Sequence, residues 1–306
     1  MKLHPTGRFD NSASDYQHIE AVPLAAAMGA EIRGVNLAAL SAPQFSEIEH
    51  ALFRHKMIFF RAQTIHYADQ ESFSLRFGPF AEDAYTKGVD GYPDVQPVIK
   101  EADDAVPIIF GSCWHTDSPF LETPPAISML YGVDIPPYGG DTIWANSVLA
   151  YELLSDKMKE VIAPLRVRFS MGDVVETARK IMPVSDSPLG RLAATSADTV
   201  DSTLQRKIDG AAHPLVRTHP VSGEKSLYID ENYAECFEGM TIEESRPLLD
   251  YLVGHLVQPA LQCRLRWEPK TLALWDNRIC VHQAFNDYDG FRREMYRTTI
   301  AGEQPS

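Results

Sequence analysis

A chain of 306 residues with 44% hydrophobic content is long enough to bury one large core. Its 42 Asp and Glu against 28 Lys and Arg leave a net charge of −14, which repels nucleic acid and anionic membranes, so neither is expected as a partner. No apolar run approaches the roughly 20 residues of a bilayer span, the N-terminus has no apolar signal core, and Cys113, Cys236, Cys263 and Cys280 lack pairwise spacing, so a cytoplasmic protein with reduced thiols is expected.

The opening, residues 18–37, has short apolar stretches punctuated by Gly29 and Gly34 and reads as β-structure. Ser41 can cap a helix in which Phe45, Ile48 and Leu52 fall at helical spacing. A buried strand follows at 56–62, then a helix over 67–78 stopped by Gly78-Pro79, and a further helix spans 147–162. Residues 172–212 are small and polar with no clear period. They read either as a disordered surface loop or as a mobile lid over a site. Residues 241–256 carry the strongest helix signal. Thr241 and Glu244 can form a capping box, and Leu248, Leu249, Leu252, Val253 and Leu256 make a buried stripe. Beyond it, turn signals at Glu268-Pro269 and Asn286–Gly290 divide the chain into three strands, the last two expected to pair antiparallel. Strands at both ends with helices between them predict one α+β domain over 1–306, built on a β-sandwich or jelly roll.

His115 and Asp117 stand two apart in "CWHTDSPFLETPP". On extended backbone they face the same side. Alone, such a pair also suits a structural polar contact at a strand end. His282, in the apolar run "WDNRICVHQAF", supplies the third member of a set that could hold Fe(II) on one face and leave three positions open. Zinc more often takes a further nitrogen or sulfur ligand. The other histidines read as solvated or packing residues, His213 and His219 as structural ones. In "FRREMYRTTI", Arg293, Met295 and Arg297 share a face. Two inward guanidinium groups need anions, whether internal acids or a ligand. Across the expected hairpin, Arg293 would face the cavity of His282. An iron site with an arginine opposite suits a dicarboxylate that chelates at one end and is clamped at the other, as 2-oxoglutarate does. Thr142, in "GGDTIW", reads as a turn residue or as a further donor to the clamped carboxylate.

"WHTDSPFLETPPA", "PPYGGDTIWANSVLAYELL", "HPLVRTHPVSGEKSLYIDENY" and "WDNRICVHQAFNDYDGFRREMYRTTI" together resemble the taurine/2,4-dichlorophenoxyacetate dioxygenase (TauD/TfdA) family, over roughly His18 to Gly302. The resemblance implies a double-stranded β-helix, or jelly-roll, core with flanking helices. It implies an Fe(II)- and 2-oxoglutarate-dependent enzyme that uses O2, hydroxylates a C–H bond and releases succinate and carbon dioxide. His115, Asp117 and His282 match the metal ligands and Thr142 and Arg293 the pair on the distal carboxylate of 2-oxoglutarate. Arg297 matches an arginine that meets the anionic group of the substrate. A carboxylate at 117, rather than a small residue, implies hydroxylation rather than halogenation. Homodimers or homotetramers are common in such a family. The stretch after "RFG" has Ala81 where taurine dioxygenases carry a histidine, and "GSC" precedes W-H-T-D where they have an asparagine, so taurine itself is disfavoured. An aryloxyalkanoate-like acid, a sulfonate or a sulfate ester is expected. Phe80, Tyr85, Phe110 and Tyr233 either line an apolar pocket or belong to ordinary core. Two other readings stand beside the enzyme: a jelly roll that binds a ligand without oxidising it, and a zinc hydrolase.

Overall fold

Two layers of strands follow from alternation of side chains along the chain. The structure, a computed structural model, describes residues 8–306 except 83–86, 110, 186 and 197–199. The first part gives β1 (Glu20–Pro23), β2 (Ala30–Arg33), α1 (Ala42–His55), β3 (Met57–Phe60), α2 (Tyr67–Ser74), β4 (Gln96–Lys100) and β5 (Ile127–Asp134). Next come β6 (Thr142–Asn146), α3 (Ser147–Glu152), α4 (Asp156–Ile162), β7 (Arg166–Phe169), α5 (Gly172–Ile181), α6 (Pro188–Ala193) and α7 (Ser202–Asp209). The last part holds β8 (Ala211–Pro214), β9 (Val216–Thr218), β10 (Lys225–Leu227), β11 (Ala234–Phe237), α8 (Ile242–Leu256), β12 (Gln262–Leu265), β13 (Leu272–Asp276), β14 (Cys280–Ala284) and β15 (Arg293–Ile300).

A seven-stranded sheet runs in the order β1-β2-β3-β13-β5-β15-β4, and a three-stranded sheet in the order β12-β6-β14. On β5, Ile127, Met129 and Tyr131 face outward and join the cluster under α1 and α2 with Ile48, Leu52 and Phe73. Leu130, Met295, Trp275 and Phe59 face the other way and share a cluster with Trp144, Leu265 and Trp267 of the smaller-sheet side. The interlayer space is therefore lined from both sheets, and Thr142, His282, Arg293 and Arg297 share the inward faces of their strands with these residues. A third cluster packs α3 and α8 against the outside of the smaller sheet, through Leu149, Leu249, Leu252, Leu256, Ile143 and Val281. Each such fully buried aliphatic side chain contributes about 1.5–3 kcal/mol.

The helix starts follow the sequence. Ser41 accepts from the Gln44 N–H and Gln44 answers at the Ser41 N–H, while Thr241 and Glu244 form the expected capping box. The α+β expectation holds, and three local expectations change. The helix expected over 147–162 is two helices, because Ser155 caps a new one at the Met158 N–H. Residues 172–212 are not structureless: α5 and α6 bury Ala178, Met182 and Leu189 against Val106 and Ile108. The third correction bears on the site. The end of the chain forms four strands, and the last two do not pair. β14 pairs with β6 and β15 with β4 and β5, on opposite sheets. The division falls at Asp276, whose carboxylate accepts from the Arg278 backbone N–H, its Nε and its Nη2, and lies 3.0 Å from His219 Nε2. That buried cluster turns the chain from one layer to the other inside an apolar run with no Gly or Pro to mark it.

Candidate active site

The segment before β5 lies against β14 so that His115 and His282 exchange backbone hydrogen bonds, His115 N–H to the His282 carbonyl at 2.9 Å and His282 N–H to the His115 carbonyl at 2.8 Å. Their rings come to 4.1 Å between centroids. Asp117, two residues on, places Oδ1 3.8 Å from His115 Nε2 and 3.9 Å from His282 Nε2. One ligand atom from each of the three residues lies within 4.8 Å of the others, and all three residues are buried. His115 Nδ1 is 2.9 Å from the Cys113 carbonyl, which can only accept; Nδ1 therefore carries the proton and Nε2 offers its lone pair. His282 is wedged between indoles, 4.7 Å from the Trp275 ring and near-parallel to Trp144.

The electrostatics suit a cation. Burial pulls His115 below its usual pKa, and burial with His115 and Arg297 alongside takes His282 to about 3, so both imidazoles are neutral. Burial pushes Asp117 upward, but His282, Arg297, His115 and the Ser128 hydroxyl outweigh it and keep the carboxylate ionised. Two neutral nitrogens and one carboxylate oxygen form a set suited to a divalent transition metal with open positions.

β15 carries both arginines on its inward face. Arg293 is 4% exposed, and its Nε and Nη2 have no protein partner among the described residues. Its guanidinium carbon lies 5.9 Å from the ring centres of both Trp267 and Tyr288. Buried guanidinium donors without an acceptor are costly, and a ligand carboxylate is the acceptor that fits them. The Trp267 indole N–H also donates to Thr142 Oγ1 at 2.9 Å, so Thr142 and Arg293 meet around one aromatic ring. Gly140 (φ +67°) permits the approach: a Cβ there would sit 3.4 Å from Arg293 Nε and 3.2 Å from the Tyr288 ring. At the other end of the strand Arg297 Nη1 is 3.9 Å from Asp117 Oδ1, and its Nε donates to Gln96 Oε1 at 3.3 Å. Arg297 thus stands beside the His–Asp–His set, whereas Arg293 stands further along the same face.

Of the expected pocket residues, Tyr233 is buried with its ring 6.4 Å from His115 and 5.1 Å from Phe120. Phe80 instead packs with the outer cluster beside Ile300, which does not support a place in the interlayer pocket. Tyr85 and Phe110 lie outside the described residues. The surface grooves along β7, β8 and β11 contain none of the candidate side chains. Sequence reasoning missed the inward face of β4. Gln96 and Lys100 stand opposite Arg297 and Arg293 in the ladder, and Lys100 Nζ lies 4.4 Å from the Tyr288 ring centre. Alternation in "QPVIK" was the available signal, and it is too short to assign a partner strand.

Residues 20–299 match the family described as "Taurine catabolism dioxygenase TauD, TfdA family". The chain belongs to the TauD/TfdA family. Among curated relatives, an alpha-ketoglutarate-dependent sulfate ester dioxygenase of Pseudomonas putida is 36% identical, covering 94% of this chain and 91% of the relative. An alkylsulfatase of Acinetobacter baylyi is 33% identical, over 94% and 86% of the two chains. A crystal structure of a taurine dioxygenase from Burkholderia xenovorans superposes with a TM-score of 0.76 at 32% identity, over 94% of this chain and 93% of that one. Membership of the TauD/TfdA family agrees with the resemblance carried by the four sequence motifs.

Proposed function

We propose that the protein is an Fe(II)- and 2-oxoglutarate-dependent dioxygenase of small anionic molecules, built on a double-stranded β-helix. The observation that carries this reading is the convergence of His115, Asp117 and His282 on one side of an interlayer space whose opposite sheet buries Arg293, with Nε and Nη2 unpartnered among the described residues. When bound, iron and 2-oxoglutarate supply the oxidising chemistry, in which O2 hydroxylates a substrate C–H bond and 2-oxoglutarate becomes succinate and carbon dioxide. His115 and His282 present neutral Nε2 atoms and Asp117 an anionic oxygen to the metal. Arg293 and the Thr142 hydroxyl hold the distal carboxylate of 2-oxoglutarate. Arg297 orients the substrate anion beside the metal, with Gln96 fixing the guanidinium plane, and Tyr233 and Phe120 exclude water from that end.

A sulfate ester is the first substrate class to try, since the sulfate ester dioxygenase of Pseudomonas putida aligns over most of both chains. Hydroxylation of the carbon bearing the ester oxygen gives a hemiacetal-like product. It collapses to an aldehyde and inorganic sulfate, with the C–O bond breaking toward oxygen. Sulfonates and aryloxyalkanoates remain within the same anion-binding chemistry. In the proposed enzyme α5 and α6 form a lid, a role supported by their packing on Val106 and Ile108 just ahead of the His115 segment. A cytoplasmic homodimer or homotetramer completes the reading, and light scattering after size exclusion tests the assembly. No helix of the described residues is long and apolar enough to cross a membrane.

The test is succinate release with Fe(II), 2-oxoglutarate and oxygen over alkyl sulfates, sulfonates, aryloxyalkanoates and amino acids. One anionic class should accelerate release, and Asp117→Ala should abolish it. An iron-loaded protein whose succinate release no such compound accelerates, or an unaffected Asp117→Ala, defeats the proposal.

A further inference from the structure

Asp117 offers two carboxylate oxygens, and the structure treats them differently. Oδ1 is the oxygen near both histidine Nε2 atoms and Arg297 Nη1. Oδ2 accepts a hydrogen bond from the hydroxyl of Ser128, a fully buried residue on the inward face of β5. The direction of that bond is set three residues away. The Trp275 indole N–H, which can only donate, gives its proton to Asn277 Oδ1 at 2.9 Å. The Asp117 backbone N–H points to the same oxygen at 3.5 Å. The amide of Asn277 therefore cannot flip, and its Nδ2 donates to Ser128 Oγ at 2.9 Å. With its acceptor side occupied, the Ser128 hydroxyl must send its own proton to Asp117 Oδ2.

Asn277 is itself tied down through its backbone. Its N–H donates to the Ala126 carbonyl at 2.8 Å, and its carbonyl accepts from Thr116 Oγ1 at 2.8 Å. Asn277 thus ties the turn between β13 and β14 to the His115–Asp117 segment, and its polar groups are all engaged. All members of the chain Trp275, Asn277, Ser128 and Asp117 are buried.

We propose that Ser128 and Asn277 are positioning residues that confine Asp117 to one-oxygen coordination, an inference that rests on the dioxygenase reading. A carboxylate free to turn can use both oxygens and occupy a second place on the metal. A six-coordinate metal with three protein atoms keeps about three positions, which 2-oxoglutarate and oxygen between them require. The proton of Ser128 protects the last of these. Partners of this kind around metal ligands are worth about 10- to 100-fold in affinity or activity.

The experiment counts exchangeable waters on Mn(II) bound to the protein without 2-oxoglutarate, by water-proton relaxation. The wild type should hold about three, and Ser128→Ala about one fewer, as Asp117 takes a second position. Ser128→Thr keeps the hydroxyl and should match the wild type. Asn277→Asp serves where Ser128→Ala does not fold. Its carboxylate cannot donate, so the Ser128 proton turns toward it, Asp117 Oδ2 is released and one water is lost. Succinate formation should fall about tenfold or more in both releasing variants and recover in Ser128→Thr. Equal water counts in wild type and in the folded releasing variants overturn the inference while leaving the dioxygenase reading intact. Failure of the wild type to bind Mn(II) at all defeats that reading, and this inference with it.

Discussion

Arg293→Met separates a ligand clamp from a structural arginine because the two roles move stability and affinity in opposite directions. In the protein alone the guanidinium is buried, its Nε and Nη2 lack acceptors among the described residues, and burial pulls its pKa below the usual value. Replacing a buried, poorly paired charge with an apolar side chain of similar length is neutral or stabilising by about 1–4 kcal/mol. The aromatic rings of Trp267 and Tyr288 offset part of that cost in the wild type by about 1 kcal/mol, which places the net gain near the lower end. A gain of about 1 kcal/mol raises the melting temperature of a chain of 306 residues by roughly 1.5–2 °C. The affinity for 2-oxoglutarate changes the other way. Losing one partner of a buried charge pair costs about 2–5 kcal/mol, roughly 30-fold to several thousand-fold in the concentration needed. Scanning calorimetry of the protein without cosubstrate, alongside 2-oxoglutarate titration in the succinate assay, reads both. A variant that melts lower and needs no more 2-oxoglutarate shows that the protein itself satisfies Arg293, and the reasoning fails.

Three further outcomes follow from single contacts. The Thr142 hydroxyl accepts from Trp267, which leaves its proton for a ligand; Thr142→Val should raise the 2-oxoglutarate KM about 5- to 10-fold and Thr142→Ser should not, whereas equal KM values in the two variants would show that the hydroxyl meets no ligand. Gly111 (φ +82°) covers the edge of His115, where a Cβ would come within 3.0 Å of Cε1 and 3.6 Å of Nε2. Gly111→Ala should weaken Mn(II) binding about tenfold, and unchanged binding would place the histidine edge elsewhere. His55 is buried, its Nδ1 2.7 Å from the side-chain amide oxygen Oδ1 of Asn11, and burial beside Arg54 and Lys56 lowers its pKa to about 4. Between pH 6.5 and 4 the unfolded chain takes a proton that the folded one refuses. Stability from this residue is therefore present at neutral pH and lost as pH falls, by up to about 3 kcal/mol. Urea midpoints at pH 7 and 5 should converge in His55→Gln, and parallel losses in the two proteins would contradict this.

What the sequence disclosed was governed by range. The capping pairs at Ser41 and Thr241 are local, and the helices start where they predict. His115 and Asp117 needed only the two-residue period of extended backbone. Arg293 and Arg297 were legible as inward charges, yet the hairpin meant to bring them to His282 does not exist. They reach the same space from the opposite sheet. The turn that makes this possible is drawn by Asp276, Arg278 and His219, and polar side chains buried together carry no periodic mark in a sequence. The helical character of 172–181 was hidden by the polar stretch that follows it, although Val175 and Ala178 stand at helical spacing. Ser128 and Gln96 were invisible for a related reason. Their importance lies in what faces them across a sheet, and pairing between distant strands cannot be read from either strand alone.

Arg293 and Arg297 leave one strand four residues apart, about 13 Å of extended chain less the shortening of the irregularity between Glu294 and Met295. A strand held on both edges by hydrogen bonds does not stretch. The two guanidinium groups are thus marked on one rigid rule, Arg297 beside the His–Asp–His set and Arg293 further along it. In the proposed dioxygenase, selection among homologous substrates is a matter of reach from Arg297 to the His–Asp–His set, a separation that β15 holds fixed.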